Sequence, residues 1–204
     1  MSRPKNSAFY NVMRAIFKPV FYLKDRIKIE GRENVPEEGA YILASNHIEA
    51  TDPIHIGLTI KRQIMFMAKA ELFENPFASW FFRHLGAFPV DRGKGDKSAI
   101  NHFEEVVKEG YLMGIFIEGT RSKTGEFLQP KNGASLIAYE TKTPVIPVCV
   151  TKTKKGKVVH FDKPLTVEQL GMVEGRTKEF RTASRMIMGK IKALRELDLE
   201  KYDC

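Results

Sequence analysis

Residues 41–53 read YILASNHIEATDP, and the order of residue types in this stretch points to the fold class. YILAS (41–45) is an apolar run of strand length. Asp52-Pro53 suits a helix start, with the carboxylate as N-cap and the proline at the first helical position, where its missing N–H costs nothing. A strand, a short loop and a helix form the opening unit of an α/β sheet, and such sheets place their sites in loops at the strand ends. His47 falls in that loop, with Asn46 before it and Asp52 five residues after it. An imidazole held by a carboxylate is the base half of a Ser-His-Asp triad. No serine nucleophile accompanies it here. The pattern therefore suits a reaction in which the substrate brings the hydroxyl, the base deprotonates it, and the oxygen attacks an activated acyl group.

On either side of this stretch, strand-like and helix-like runs alternate. RIKIEG (26–31) and YILAS flank the turn NVPEEG, and IMFMAK (64–69), AFPVD (87–91), YLMGIFIEG (111–119) and VIPVCV (145–150) read as further strands. Helices are expected at 52–60, 76–86, 97–109, 133–142 and 177–198, and a β-ribbon through VVHF (158–161). Phe180, Ala183, Ile187, Ile191 and Leu194 recur at helical spacing in the last of them. This alternation predicts one α/β domain over 27–204, with a mixed, mostly parallel sheet flanked by helices.

The chain has 204 residues, 43% of them hydrophobic, enough for a sizeable single core. Its two cysteines, Cys149 and Cys204, cannot form a disulfide framework, and no Cys/His cluster suggests zinc; a reduced, cytosolic setting and no metal are expected. The apolar part of the N-terminus leads into more charge and not into a small-residue cleavage site, so no cleavable signal is expected.

The net charge of +8 is concentrated at the start: residues 1–32 hold eight Lys/Arg and two Asp/Glu. The same segment is rich in aromatic and aliphatic residues, with Asn11, Arg14, Lys18 and Asp25 on a narrow polar stripe. Pro19 predicts a break, giving two short amphipathic helices, about 7–17 and 19–26, within a unit spanning 1–26. Such a segment fits a membrane surface: Phe9, Phe17 and Phe21 would enter the acyl boundary, and Arg14, Lys18 and Lys24 would meet anionic head groups. A core helix folded back on the domain is the alternative. A membrane span is disfavoured, because the apolar stretch 8–23 is short and carries Arg14 and Lys18. Nucleic acid is not the expected partner, because the aromatics alternate with aliphatics and no nucleic-acid motif is present.

Three further stretches complete the pattern. GAFPVDRG (86–93) puts Arg92 at a strand end, FIEGTRS (116–122) puts Arg121 in the following loop, and VIPV (145–148) carries Pro147 inside an apolar run, which predicts an edge strand or a bulge. Lys69 ends IMFMAK and Lys131 precedes a helix. Cations gathered at neighbouring strand ends suit an anion such as phosphate, whereas each taken singly is an ordinary solvated charge.

NHxxxxD, GxFPVDRG, FxEGTRS and VIPV, in this order over residues 46–148, resemble the glycerolipid acyltransferase family, and more narrowly the bacterial 1-acylglycerol-3-phosphate acyltransferases. The resemblance implies a peripheral enzyme on the cytoplasmic face of the membrane that acylates lysophosphatidate. His47 would be the general base and Asp52 its orienting carboxylate, with no acyl-enzyme. Lys69, Arg92 and Arg121 would hold the acceptor phosphate, with Glu118 and Gly119 shaping that loop. Asn46, Thr120 and Pro147 would support the centre. The donor would be acyl-CoA or acyl carrier protein, with no bound cofactor. Phe73, Phe77, Trp80, Phe81 and Phe82 are candidate walls of an acyl tunnel, or ordinary core. The resemblance leaves open a sibling activity on another lysolipid, such as lyso-ornithine lipid or a lysophospholipid. A serine hydrolase would need a GxSxG elbow, which the sequence lacks. A binding module would not need the His/Asp pair.

Overall fold

A computed structural model describes residues 6–90 and 97–203, with only the backbone at 97–101. The strands are β1 (Lys28–Glu30), β2 (Tyr41–Ser45), β3 (Ile64–Lys69), β4 (Ala87–Val90), β5 (Leu112–Phe116), β6 (Val145–Thr153) and β7 (Gly156–Phe161). They form one seven-stranded sheet in the order β1-β7-β6-β2-β5-β3-β4. Every pairing is parallel except the β6–β7 hairpin. The helices are α1 (Ala8–Asp25), α2 (Asp52–Thr59), α3 (Pro76–His84), α4 (Lys97–Lys108), α5 (Gly133–Thr141) and α6 (Thr177–Asp203). The expected mixed, mostly parallel α/β domain is what forms.

The two sheet faces read directly from the alternation of side chains along each strand. Ile42, Ala44, Met113, Ile115 and Val145 point into one core, together with Phe103 of α4, Ile137 of α5 and Ile187 and Ile191 of α6. Leu43, Leu112, Ile146, Val148 and Val159 point into the other, against Ile56 of α2. The five apolar positions expected along the last helix are all buried.

Three expectations are corrected. First, α1 is one helix of 18 residues with Pro19 inside it. Proline removes one backbone donor and strains the preceding turn, but both ends of α1 are tied to the domain. Ser7 caps the start by accepting from the Tyr10 N–H at 3.1 Å, and the adjoining Asn6 donates to the Lys61 carbonyl at 2.8 Å. Asp25 closes the other end on His55 at 2.7 Å. Second, β6 is an interior strand, flanked by β7 and β2. Its Pro147 lies in register with Ala44, and its carbonyl accepts from the Asp162 N–H at 2.9 Å. The Asn46 side chain bridges both backbone groups of Val150, accepting at 2.9 Å and donating at 3.0 Å, and so extends the β2–β6 pairing past its last residue pair. Third, the N-cap of α2 is Thr51, which makes Asp52 its first residue and Pro53 its second.

The orientation of α1 also differs from expectation. Phe9 packs edge-on against Trp80 and Phe81, Phe17 and Phe21 pack on each other, and Phe21 meets His55. Arg14 turns inward and donates to the Leu58 carbonyl at 3.4 Å. The outward apolar residues are Val12, Ile16, Val20 and Leu23, the last 81% exposed. Among the described residues no helix is long and apolar enough to cross a membrane.

Candidate active site

The parallel strands deliver their carboxyl ends to one edge of the sheet, and the site is built there. β2 ends at Ser45, and the chain leaves as the loop Asn46–Thr51 before α2 begins at Asp52. His47 Nδ1 lies 2.8 Å from Asp52 Oδ2. The same oxygen accepts the backbone N–H groups of Ile48 and Glu49, each at 2.7 Å. With two backbone N–H groups donating to it, Oδ2 acts as an acceptor. Nδ1 therefore carries the proton, and Nε2 is left as a free base. Asp52 is fully buried, while the His47 side chain keeps 15% of its surface.

One face of the His47 ring is covered. Phe116 stacks on it at 3.9 Å with 16° between planes, and Phe66 lies parallel behind Phe116 at 5.8 Å. Gly114 makes room for this stack: a Cβ there would come within 2.2 Å of the Phe66 ring. Phe116 fixes the imidazole orientation, a role its place in FIEGTRS did not reveal.

The loop after β5 folds onto the His47 loop. Ile117 N–H donates to the Ser45 carbonyl at 2.9 Å, and Ser122 N–H to the His47 carbonyl at 2.8 Å. Arg121 is next to that second contact and exposed, as is Thr120. Gly119 adopts φ +70, a left-handed conformation that favours glycine, and a Cβ there would meet the Lys131 side chain at 3.2 Å. Lys131 is itself tied in by its N–H to the Ile117 carbonyl at 2.7 Å. Lys69 ends β3 on the same edge and pairs with Glu71 at 2.6 Å, both well exposed. Arg92 lies outside the described residues. Pro147 sits in the strand beside β2, behind the loop.

Glu118 is buried and accepts from the Leu128 backbone, yet its Oε2 has no protein partner. Burial, reinforced by the charge of Asp52, pushes its carboxyl up to about 7. Its side chain is turned inward and does not present a charge to solvent. Among the described residues no three His, Cys, Asp or Glu side chains converge in the manner of a metal site.

Beside the pair lies an apolar cavity of about 280 Å³ between α1, α2, β3 and α3. Ala50 and Pro53, which flank Thr51 and Asp52, line it, as do Phe17, Phe66, Phe81 and Phe82. Of the five aromatic residues expected to wall a tunnel, only Phe81 and Phe82 do so. Phe73 packs against Phe82, and Phe77 (73% exposed) and Trp80 face outward.

Sequence reasoning missed a second ionic group directly behind Asp52. His55 is fully buried and bonds Asp25 through Nε2 at 2.7 Å. Lys157 of β7, also buried, bonds Glu49 of the His47 loop at 2.6 Å. The three-residue spacing of Asp52 and His55 on α2 was the one available signal. Asp25 and Lys157 lie 30 and 102 residues from His55, and only the fold unites them.

Comparison with known proteins bears on the family and the fold. A family model described as Acyltransferase matches residues 26–151. A 1-acyl-sn-glycerol-3-phosphate acyltransferase of Bacillus subtilis is 35% identical over 149 residues, covering 72% of this chain and 74% of that one. Proteins of the same description from Borreliella burgdorferi and Streptococcus pneumoniae are 32% and 29% identical, over 76% and 79% of this chain; the chain covers 64% of each. The crystal structure of the 1-acyl-sn-glycerophosphate acyltransferase PlsC from Thermotoga maritima superposes over 92% of this chain and 78% of that one, with a TM-score of 0.72 and 24% identity. That likeness establishes the fold.

Proposed function

Because the chain belongs to the acyltransferase family, we propose that it transfers a fatty acyl group from a thioester, acyl-CoA or acyl carrier protein, to the free hydroxyl of 1-acylglycerol-3-phosphate, giving phosphatidate. The observation that carries the reading is the His47–Asp52 pair, with Nε2 free at the carboxyl edge of the sheet and an apolar cavity beside it. Nε2 takes the hydroxyl proton as the oxygen attacks the thioester carbonyl. The C–S bond breaks, and the imidazolium returns its proton to the departing thiolate. Asp52 stabilises the imidazolium in between. Phe116 holds the ring and the two backbone donors hold the carboxylate, so no nucleophilic side chain is needed.

Arg121 and Lys69, with Arg92, would supply cations for the acceptor phosphate, and Lys131, whose side chain lies against Gly119, is a further candidate. Relatives described as acting on 1-acyl-sn-glycerol-3-phosphate support that acceptor. The cavity suits an acyl chain by size and lining. Purified protein with oleoyl-CoA or acyl carrier protein thioester and a panel of lysolipids tests the reading through thioester consumption. Lysophosphatidate should be the best acceptor; a preferred acceptor without phosphate overturns the assignment. No metal is required for thioester attack by this route, so dialysis against a chelator should leave the rate unchanged.

The site would work on a membrane surface, from the cytoplasmic side. Val12, Ile16, Val20 and Leu23 make an exposed apolar stripe along α1, continued by Phe77 and Trp80 of α3, with Lys18 and Lys24 exposed on α1. Wild-type protein should pellet with anionic vesicles and be released by carbonate at high pH. Val20→Asp with Leu23→Asp should abolish pelleting. Equal pelleting of both proteins removes α1 from the membrane contact.

A further inference from the structure

We propose that Asp25, at the carboxyl end of α1, sets the tautomer of His55 and through it the strength with which Asp52 supports His47. This rests on His47 being the base. The Asp52 carboxylate is asymmetric. Its Oδ2 receives three donors, whereas Oδ1, also buried, has no protein partner among the described residues. The group facing Oδ1 is Nδ1 of His55, 4.0 Å away and likewise without a partner. Two buried polar atoms that face one another without a protein partner, one turn apart on α2, are uncommon, and two lone pairs facing across the gap account for it.

The other side of the His55 ring explains the facing lone pairs. Nε2 lies 2.7 Å from Asp25 Oδ2, and an ionised Asp25 can only accept, so the proton is on Nε2 and Nδ1 presents a lone pair to Asp52. Burial keeps His55 from charging, outweighing the pull of the Asp25 hydrogen bond, and the nearby Lys157 ammonium acts in the same direction. Burial also raises the Asp25 carboxyl, but the His55 bond together with Lys157 and Lys24 holds it below its ordinary value. The groups facing the ring are Asp25 and Phe21 of α1, Asp52 of α2 and Lys157 of β7, with Glu49 behind Lys157.

If Asp25 is withdrawn, the balance reverses. Lys157 Nζ, 3.5 Å from Nε2, is then the donor beside it. The proton then moves to Nδ1, and a closure of about one ångström brings it into hydrogen bonding with Asp52 Oδ1. A carboxylate that gains such a donor is a poorer partner for imidazolium. His47 becomes a weaker base. Seating of α1 is thereby felt at the catalytic pair through one buried imidazole.

The test is the pH dependence of kcat/KM for acyl transfer by the full chain, with oleoyl-CoA and lysophosphatidate in micelles. Asp25→Ala should move the acid limb down by about half a pH unit or more and lower the plateau severalfold. Asp25→Asn, whose carbonyl oxygen still accepts from Nε2–H, should keep the wild-type limb although it removes the same charge. An unmoved limb in Asp25→Ala overturns the proposal, and so does an equal shift in both variants, which would mean a direct field effect. Nitrogen-15 spectra of the wild-type imidazoles decide the question independently should a variant not fold: a proton on Nδ1 of His55 at neutral pH is incompatible with the proposal. His47→Ala run alongside separates the two failures, because retained turnover there removes the base assignment without touching the tautomer.

Discussion

His47–Asp52 and His160–Asp198 have the same geometry and different surroundings. In each pair Nδ1 lies 2.8 Å from a carboxylate oxygen, the carboxylate is buried, and the imidazole keeps 15% or 18% of its surface. Asp198 comes from α6, and its second oxygen accepts from the Thr151 hydroxyl at 2.6 Å. His160 lies within β7, in register with Cys149 on the antiparallel side of the sheet. No residue of β7 or α6 lines the apolar cavity, whereas Ala50 and Pro53, on either side of Thr51 and Asp52, do. His47, by contrast, leaves the carboxyl end of a parallel strand, stacks on Phe116, and is bonded through its own carbonyl to the loop that carries Arg121. A His–Asp hydrogen bond is thus a common packing device. Position at the edge where parallel strands end, near a cavity and a cationic loop, is what sets His47–Asp52 apart and supports the proposal that His47 is the base.

Truncating both imidazoles puts this contrast under the greatest stress. His47→Ala should lower turnover about 10²–10⁴-fold in a protein that still melts cooperatively, and Asp52→Asn nearly as far. His160→Ala should leave turnover within a few fold and instead destabilise the fold by about 1.5–3 kcal/mol, the value of a hydrogen bond to a charged group. Comparable loss of turnover from both would erase the distinction. A more modest effect refines it: Arg121→Ala and Lys69→Ala should each reduce kcat/KM for the phosphorylated acceptor about tenfold, with less change in donor dependence. The Lys69–Glu71 pair is too exposed to hold Lys69 away from a phosphate.

The mildest change concerns Glu118. Its folded carboxyl titrates at about 7, above its ordinary value, so between about pH 5 and 7 the folded protein holds a proton that the unfolded chain has released. Stability therefore falls as pH rises through this window. Glu118→Gln should remove that fall, raising the melting temperature by several degrees at pH 8 while leaving it nearly unchanged at pH 5. A gain equal at both values would assign Glu118 an ordinary packing role.

The alternation of strands and helices, the single-domain α/β class and the pairing of His47 with Asp52 were all legible in the order of residues. These are local properties: side-chain period distinguishes strand from helix, and His47 and Asp52 are joined by one short loop that closes on itself through two backbone donors. The interior place of β6, the continuity of α1 through Pro19 and the direction in which its aromatics face emerged only once the chain was folded. A proline is tolerated where distant contacts pin both ends of its helix, and an amphipathic pattern specifies a stripe without saying which side finds a partner. The stack of Phe66 and Phe116 on His47, and the gathering of Asp25, His55 and Lys157 behind Asp52, likewise depend on strand order. Buried charges can be held only where several elements supply partners at once, and sequence spacing carries no record of which elements those are.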